Sequence, residues 1–418
     1  MLSARQRDLV KATVPLLRSH GEAITRRFCR TMLAAHPELN ALFSPACEHD
    51  PGPACSFAAC IVTYAEHVDV PERLGGMIER VSAVHGCLEV QAEHYSILGP
   101  HFVGALGAVL GAAATPDVLD AWQAAYADLA GFMAGREQEL YDEGALRPGG
   151  WRGFKPFRIE RRTRESETMV SLDLLPADGA ALPPFEPGQH LSVRVRPPGL
   201  GYDQIRPYSV SCAPNGRHYR ISVEREPPPR EAPGAPPGLV SGMLHDSARA
   251  GDLVQVHMPL GSFVLDEASD RPVVLLCGGI GIAGVLGMFE HLVAGCQQGR
   301  HREVLLLRAV RGRGSHPFAA RIRALERGRP GVRSAVFYEV TEPDDVAGLH
   351  HDAVGRLSAE AIRRYLPERD AEFYYCGPSR FTAAVEGVLD QLGIPLARRR
   401  GEALGPTPAF APDAPAPA

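Results

Sequence analysis

At Arg147–Trp151 the chain reads RPGGW, and its apolar residues are spaced differently on the two sides. Before it they recur every three or four positions; after it they alternate. The first spacing suits a helix and the second a half-buried strand, because side chains repeat about every 3.6 residues in a helix and every two in a strand. TRRFCRTMLAAHPEL, SFAACIVTYAEHVD, PERLGGMIERVSAVHG and VLDAWQAAYADLAGFMAGREQELYDE carry the helical spacing. Pro15, Pro37, Pro71 and Pro116 sit near boundaries or first turns, where a missing N–H is tolerated.

Beyond RPGGW come KPFRIERRTR, TMVSLDLLPA, HLSVRVRPP and YRISVEREPP, short alternating runs separated by turn residues, as in a small antiparallel barrel. The loop EPPPREAPGAPPG is Pro-rich, hence stiff and solvated. From Arg271 the strands PVVLLCGG, EVLLLRAV, SAVFYEV and EFYYCGP alternate with the helices VLGMFEHLVAG, FAARIRALERG and FTAAVEGVLDQLG. That is a βαβ series with a parallel sheet. A chain of 418 residues is too long for one core. The textures divide it into an all-α domain over 1–148, an antiparallel β-barrel over 149–266 and an α/β domain over 267–406. Residues 407–418 are expected to form a disordered tail.

The formal charge of -5 leaves no footprint for nucleic acid or anionic lipid. Nine cysteines, odd in number and scattered, make no disulfide framework and fit a reduced cytoplasm. The start, MLSARQRDLVKATVPLL, reads without a signal core. ILGPHFVGALGAVLGAAA lacks formal charges, but its Gly, Ala and Pro100 content favours a buried helix over membrane insertion.

CGGIGIAG follows a strand and opens a helix, with Gly279, Gly281 and Gly284 in G-x-G-x-x-G spacing. Such glycines let backbone amides approach a pyrophosphate at a positive helix end, or simply make a tight strand–helix turn. No acidic residue ends the next strand, where a ribose hydroxyl would be gripped. Arg308, Arg311 and Arg313 lie there instead, either to accept a 2′-phosphate or as surface charges.

RPYS (Arg206–Ser209), the upstream PGQH and the downstream GLVSGMLHD together resemble the ferredoxin–NADP reductase superfamily over roughly Trp151 to Pro406. The resemblance implies that Arg206 contacts the FAD phosphates and that Tyr208 and Ser209, flanking Pro207, contact the isoalloxazine. It puts Gln189 and His190 along the flavin and Gly238, Leu239, Val240 and Ser241 at the pyrophosphate. A guanidinium suits phosphate, an aromatic ring stacks on flavin and a hydroxyl can bond N5. YYCGP resembles the nicotinamide-side motif and implicates Cys376, Gly377 and Pro378 beside NADH or NADPH.

Such a reductase hands its electrons to an acceptor, and a haem pocket in the front end needs one neutral imidazole and a group to orient it. His85, in ERVSAVHGCLEV, is followed by Tyr95 in EHYSILGPHF and Glu137 in GREQELY. With VKATVPLL, HPEL, VLDAW and REQELYDEGA, the chain resembles the flavohaemoglobins over nearly its whole length. The resemblance implies a globin domain with haem b, His85 as proximal iron ligand, Tyr95 and Glu137 as its partners, and Phe43 packed on haem. A carboxylate polarising the histidine favours O₂ activation over storage. The implied activity is nitric oxide dioxygenation, with electrons passing from NAD(P)H through FAD to haem and NO plus O₂ leaving as nitrate.

The departures fall at the chemistry. Distal positions that hold tyrosine, glutamine and leucine in the family read Cys29, Pro53 and Phe57 here. A thiol donates weakly and proline not at all, so hydrogen bonds worth about 1–3 kcal/mol each to bound O₂ would be lost. Cys29 reads equally as a small buried residue. Val84 replaces a lysine, Ala283-Gly284 replaces Thr-Pro, and Leu404 stands for the aromatic that covers the flavin, while Glu402 is kept. Two further readings follow: an NAD(P)H-dependent haem-flavin reductase or peroxidase-like enzyme with another acceptor, and a haem-based gas or redox sensor. The expected partners are O₂ and NO, with no nucleic acid or membrane, in a cytoplasmic monomer or homodimer.

Overall fold

A computed structural model of the chain describes residues 2–43, 51–228, 237–297, 299 and 302–404, with the backbone alone described over 51–56 and at 297. The chain forms two compact units. One carries the helices up to Leu146 with Gly199–Ile205; the other carries Arg147–Pro198 and Arg206–Gly405.

The first unit contains α1 (Ala4–Ala12), α2 (Val14–Ala35), α3 (Pro51–His67), α4 (Gly75–Leu88), α5 (Ala92–Leu110) and α6 (Pro116–Leu146). Ser3 opens α1 with a capping box: its side chain accepts from the Gln6 N–H and Gln6 reaches back to the Ser3 N–H, satisfying two otherwise bare donors. The core is built around Trp122, Phe102, Met32, Leu17 and Leu106, all fully buried. Two polar side chains taken inside find partners. Trp122 Nε1 donates to Thr13 Oγ1 at 3.2 Å and the Tyr64 hydroxyl donates to the Ala125 carbonyl at 2.8 Å. The charge-free run lies in α5. By length and composition that helix could cross a membrane, as could the segment Gly279–Cys296. Here α5 turns Tyr95, Leu98, Phe102, Ala105 and Leu106 into the helical core.

The second unit has two sheets. In the first, β1 (Lys155–Arg164), β2 (Met169–Pro176), β3 (His190–Val195), β4 (Gln204–Ser209), β5 (Tyr219–Glu224) and β6 (Leu253–Val256) run in the order β4-β3-β6-β1-β2-β5. β1 pairs antiparallel with both β2 and β6, with a register shift between Ile159 and Arg161. β4 is an edge strand, which is where a sheet tolerates Pro207. The short helix α7 (Leu239–Gly242) precedes β6.

The second sheet is parallel: β7 (Val273–Gly278), β8 (Val304–Val310), β9 (Val332–Tyr338), β10 (Ala353–Val354), β11 (Glu372–Pro378) and β12 (Arg399–Leu404), in the order β10-β9-β8-β7-β11-β12. Its helices are α8 (Ile282–Gln297), α9 (Ala319–Glu326), α10 (Ala359–Arg363) and α11 (Ser379–Gln391). The order reverses between β7 and β11. In open parallel sheets ligands bind at the carboxyl ends of the strands on either side of such a reversal. The molecule is therefore an all-α part, an antiparallel sheet and a doubly wound parallel sheet, as the textures imply.

Candidate functional site

Three helices bring one titratable group each to a single point. His85 lies in the last turn of α4, where its carbonyl accepts from the Val90 N–H at 3.0 Å as the chain leaves through a left-handed Glu89. Tyr95 lies at the start of α5, which a reciprocal Gln91–His94 cap fixes. Glu137 comes from the C-terminal half of α6 and is 1% exposed. His85 Nδ1 is 2.8 Å from the Tyr95 hydroxyl and 2.9 Å from Glu137 Oε1, and Tyr95 donates to that same oxygen at 2.6 Å. Burial and the adjacent Glu137 charge push the Tyr95 hydroxyl well above the usual phenol range, so it stays a donor. With Nδ1 taken up by this pair, Nε2 is the nitrogen of His85 left to meet a metal.

On α2, Cys29 is 4% exposed within the apolar core. Phe57 of α3 stacks on Phe28 with centroids 5.2 Å apart and meets Phe102 edge-on at 5.9 Å. Phe43 is partly buried against the same core, its N–H bonded to the Leu39 carbonyl at 2.8 Å. Pro53 falls within α3, but its side chain lies outside the described residues. Val84, beside His85, is 45% exposed.

In the second unit, Arg206, Pro207, Tyr208 and Ser209 form the end of β4, and the next N–H, that of Val210, bonds the Gln189 carbonyl at 2.9 Å. RPYS and PGQH are thus tied together. The Gln189 amide is engaged locally: its Oε1 accepts from the Glu186 N–H at 3.0 Å, and its Nε2 is 3.5 Å from the Gly261 carbonyl. His190 is held neutral at pH 7, since burial and nearby His257 push its pKa down to about 4. Burial drives the Tyr208 hydroxyl up, with Arg206 opposing. Ser241 Oγ donates to the Gly238 carbonyl at 3.2 Å and accepts from the Glu226 N–H at 3.3 Å, so that turn, with Leu239 and Val240, is braced by its own serine.

At the reversal point Gly279 has φ of 52° and open space around it. Gly281 is different: a Cβ there would run into the Cys376 carbonyl, and one on Gly284 would stand 2.7 Å from Cys376 Sγ. These glycines let α8 press against β11. Gly278 and Gly377 lie under the ring of Phe381, 2.6 Å from where each Cβ would be. Pro378 and Leu404 end the neighbouring strands β11 and β12 in register. Glu402 points its Oε2 into this corner, buried and without a hydrogen-bond partner among the described residues. Burial pushes its carboxyl up to about 8.

Of the arginines near β8, Arg311 and Arg313 are exposed, as surface charges would be, and Arg308 is not. Arg308 is 3% exposed within the strand, with Nε and Nη1 unpartnered among the described residues, because its side chain faces the sheet–helix interior. Arg313 is paired to Asp344 at 2.7 Å. Phe381, which follows CGPSR directly, and Glu226, whose side chain abuts Gly238, belong to these surroundings although no motif marks them. A contact of the second kind, between residues twelve apart in the chain, leaves no sequence signal.

The globin family matches residues 26–133 and the oxidoreductase NAD-binding domain family residues 275–387. The chain is 48% identical over 412 residues to the flavohemoprotein of Deinococcus radiodurans, covering 99% of each. It is 43% identical to that of Bordetella pertussis, covering 97% of this chain and 99% of the relative. Among solved structures, it is similar to a flavohemoglobin from Malassezia yamatoensis with bound FAD and heme, with TM-score 0.81, 25% identity, and 97% and 100% of the two chains covered. It is also similar to the FAD/NAD-binding domain of nitric oxide dioxygenase from Vibrio cholerae, with TM-score 0.53, 36% identity, and 61% and 100% covered.

Proposed function

This chain belongs to the flavohemoprotein family, and on that footing we propose that it is an NAD(P)H-dependent oxidoreductase of the nitric oxide dioxygenase class, carrying haem b and FAD. The observation that carries the reading is the His85–Tyr95–Glu137 trio: a histidine whose Nδ1 is fixed by a phenol and a buried carboxylate has only Nε2 for a metal. His85 would hold the haem iron and Phe43 would pack on the macrocycle. Arg206, Tyr208, Ser209, His190 and Gly238 to Ser241 would hold FAD. Gly279 to Gly284, Cys376 to Pro378 and Glu402 would receive the nicotinamide nucleotide, at the point where the strand order reverses. The orphaned Glu402 oxygen suits that role, since a carboxamide N–H could satisfy it.

When bound, the nicotinamide supplies hydride, the flavin splits it into single electrons and the haem iron supplies the site for O₂ and NO. The chain's residues orient and shield. Tyr95 keeps its proton and steadies Glu137, and Glu137 anchors His85. Conversion of NO and O₂ to nitrate takes up one electron, so one NAD(P)H serves two molecules of NO. The -5 charge and scattered thiols fit a soluble cytoplasmic enzyme with small-molecule partners only.

A second reading has its own observation. Buried Cys29 puts a weakly donating thiol where the family has a tyrosine, in the same core as the Phe28–Phe57 stack, which favours another acceptor. The experiment is NADH-driven NO consumption in oxygenated buffer, on protein whose spectrum shows haem and flavin. We expect nitrate in step with NO lost, and neither in His85→Ala. NADH oxidation with peroxide or a dye but not with NO would establish the second reading instead.

A further inference from the structure

One buried ionic node joins the two sheets of the second unit. Arg220 leaves β5 beside Ser211, whose N–H donates to the Arg220 carbonyl at 2.7 Å, and Ser211 is two residues beyond Ser209. The Arg220 guanidinium bonds the Ser211 carbonyl and reaches Glu290 Oε1 on α8 at 2.7 Å. Arg321 of α9 reaches the same oxygen at 2.6 Å, and Glu290 Oε2 accepts from the Ala213 N–H at 3.3 Å. Arg220 also lies 5.7 Å from the ring centre of Phe318, which sits at a left-handed φ of 58° just ahead of α9. Nearly one turn before Glu290, Gly287 packs so tightly that a Cβ would stand 2.8 Å from the Cys212 carbonyl and 3.0 Å from that of Val210.

Burying such a pair stabilises little, because desolvation offsets most of the attraction, and apolar residues of equal volume would hold the elements together as well. A charge-assisted bond whose two ends are each tied to other groups adds direction: few relative placements of the two elements keep Arg220 on both Glu290 and the Ser211 carbonyl, and Glu290 on the Ala213 N–H, at once. The elements concerned carry the two halves of one reaction. The strand ending at Ser209 runs straight into Ser211, and α8 starts directly behind the Gly279–Gly281 turn.

We propose that Arg220, Glu290 and Arg321 clamp the middle of α8 to the segment that continues the Arg206–Ser209 strand, and that Glu290 is a positioning residue for hydride transfer from nicotinamide to flavin. The inference rests on the function proposed above. Reacting atoms must come within about 3–3.5 Å, and a misplacement of about 1 Å can slow a step on the order of 100-fold. Glu290 lies about two helical turns from the glycine turn, so any tilt of α8 moves the nucleotide end as a body.

The test is anaerobic rapid mixing of the flavin- and haem-loaded protein with NADH. Glu290→Gln should lower the limiting rate of flavin reduction about tenfold or more and weaken the flavin–nicotinamide charge-transfer absorption, while ADP-ribose affinity stays within about twofold. A merely structural role would move the thermal midpoint and leave that absorption alone. Should Glu290→Gln fold poorly, the paired variant Arg220→Met/Glu290→Met removes both charges together, and Arg321→Met removes the half-exposed arm. A paired variant with full flavin content, wild-type limiting rate and wild-type charge-transfer band overturns the clamp. Wild-type flavin that neither NADH nor NADPH reduces overturns the functional reading instead, before any variant is compared.

Discussion

Tyr95 decides how His85 behaves, because its hydroxyl bonds both the imidazole and Glu137. Tyr95→Phe removes one donor and leaves a buried carboxylate short of a partner, so stability should fall by about 1–3 kcal/mol in chemical denaturation. Because partners of metal-ligating histidines typically contribute 10–100-fold, NO turnover should fall by roughly tenfold as well. Equal turnover in Tyr95→Phe would show that the trio does not tune the site. Glu402 makes a pH prediction. Its carboxyl titrates near 4.5 when free and at about 8 in the fold, so the folded chain binds the proton more tightly between those values. The contribution is therefore fully present below about pH 4.5 and is lost as pH rises towards about 8. Glu402→Gln should flatten that decline in urea titrations across the interval; an unchanged slope would place its cause elsewhere.

Among the elements, the glycine turn separates two kinds of requirement. Gly281→Ala drives a Cβ into the Cys376 carbonyl of β11 and should destabilise the second unit by about 3 kcal/mol or more, since backbone cannot yield as a side chain does. Gly279→Ala meets open space and only a left-handed φ, at roughly 1–2 kcal/mol. Thermal melts of the two variants give the comparison, and equal losses would contradict the packing argument. The G-x-G-x-x-G spacing was legible in the sequence; which glycine serves the strand contact was not, because Cys376 is nearly a hundred residues away. β12 was also invisible. RRGEAL is half charged and shows no alternation, yet it pairs along β11 as an edge strand, where charge is tolerated. β10, two residues long, carries no periodic signal at all.

At the scale of the whole molecule, the change of apolar period at RPGGW was enough to separate helices from sheets, and the strand-then-helix alternation was enough for the parallel order. His85, Tyr95 and Glu137 could be picked out only through family resemblance. Spacings of 10 and 42 residues between them acquire meaning once three helices converge. The Arg220–Glu290 node, 70 residues apart in sequence, had no such guide. Reading the molecule as an electron path from NAD(P)H to haem makes one quantity decisive. In oxygenated buffer with no other NO scavenger, NADH oxidised, NO lost and nitrate formed should be followed together on protein loaded with both haem and flavin. The account predicts two NO consumed and two nitrate formed per NADH, with all three signals absent in His85→Ala. NADH oxidation that proceeds without nitrate, or at the same rate in His85→Ala, would contradict it.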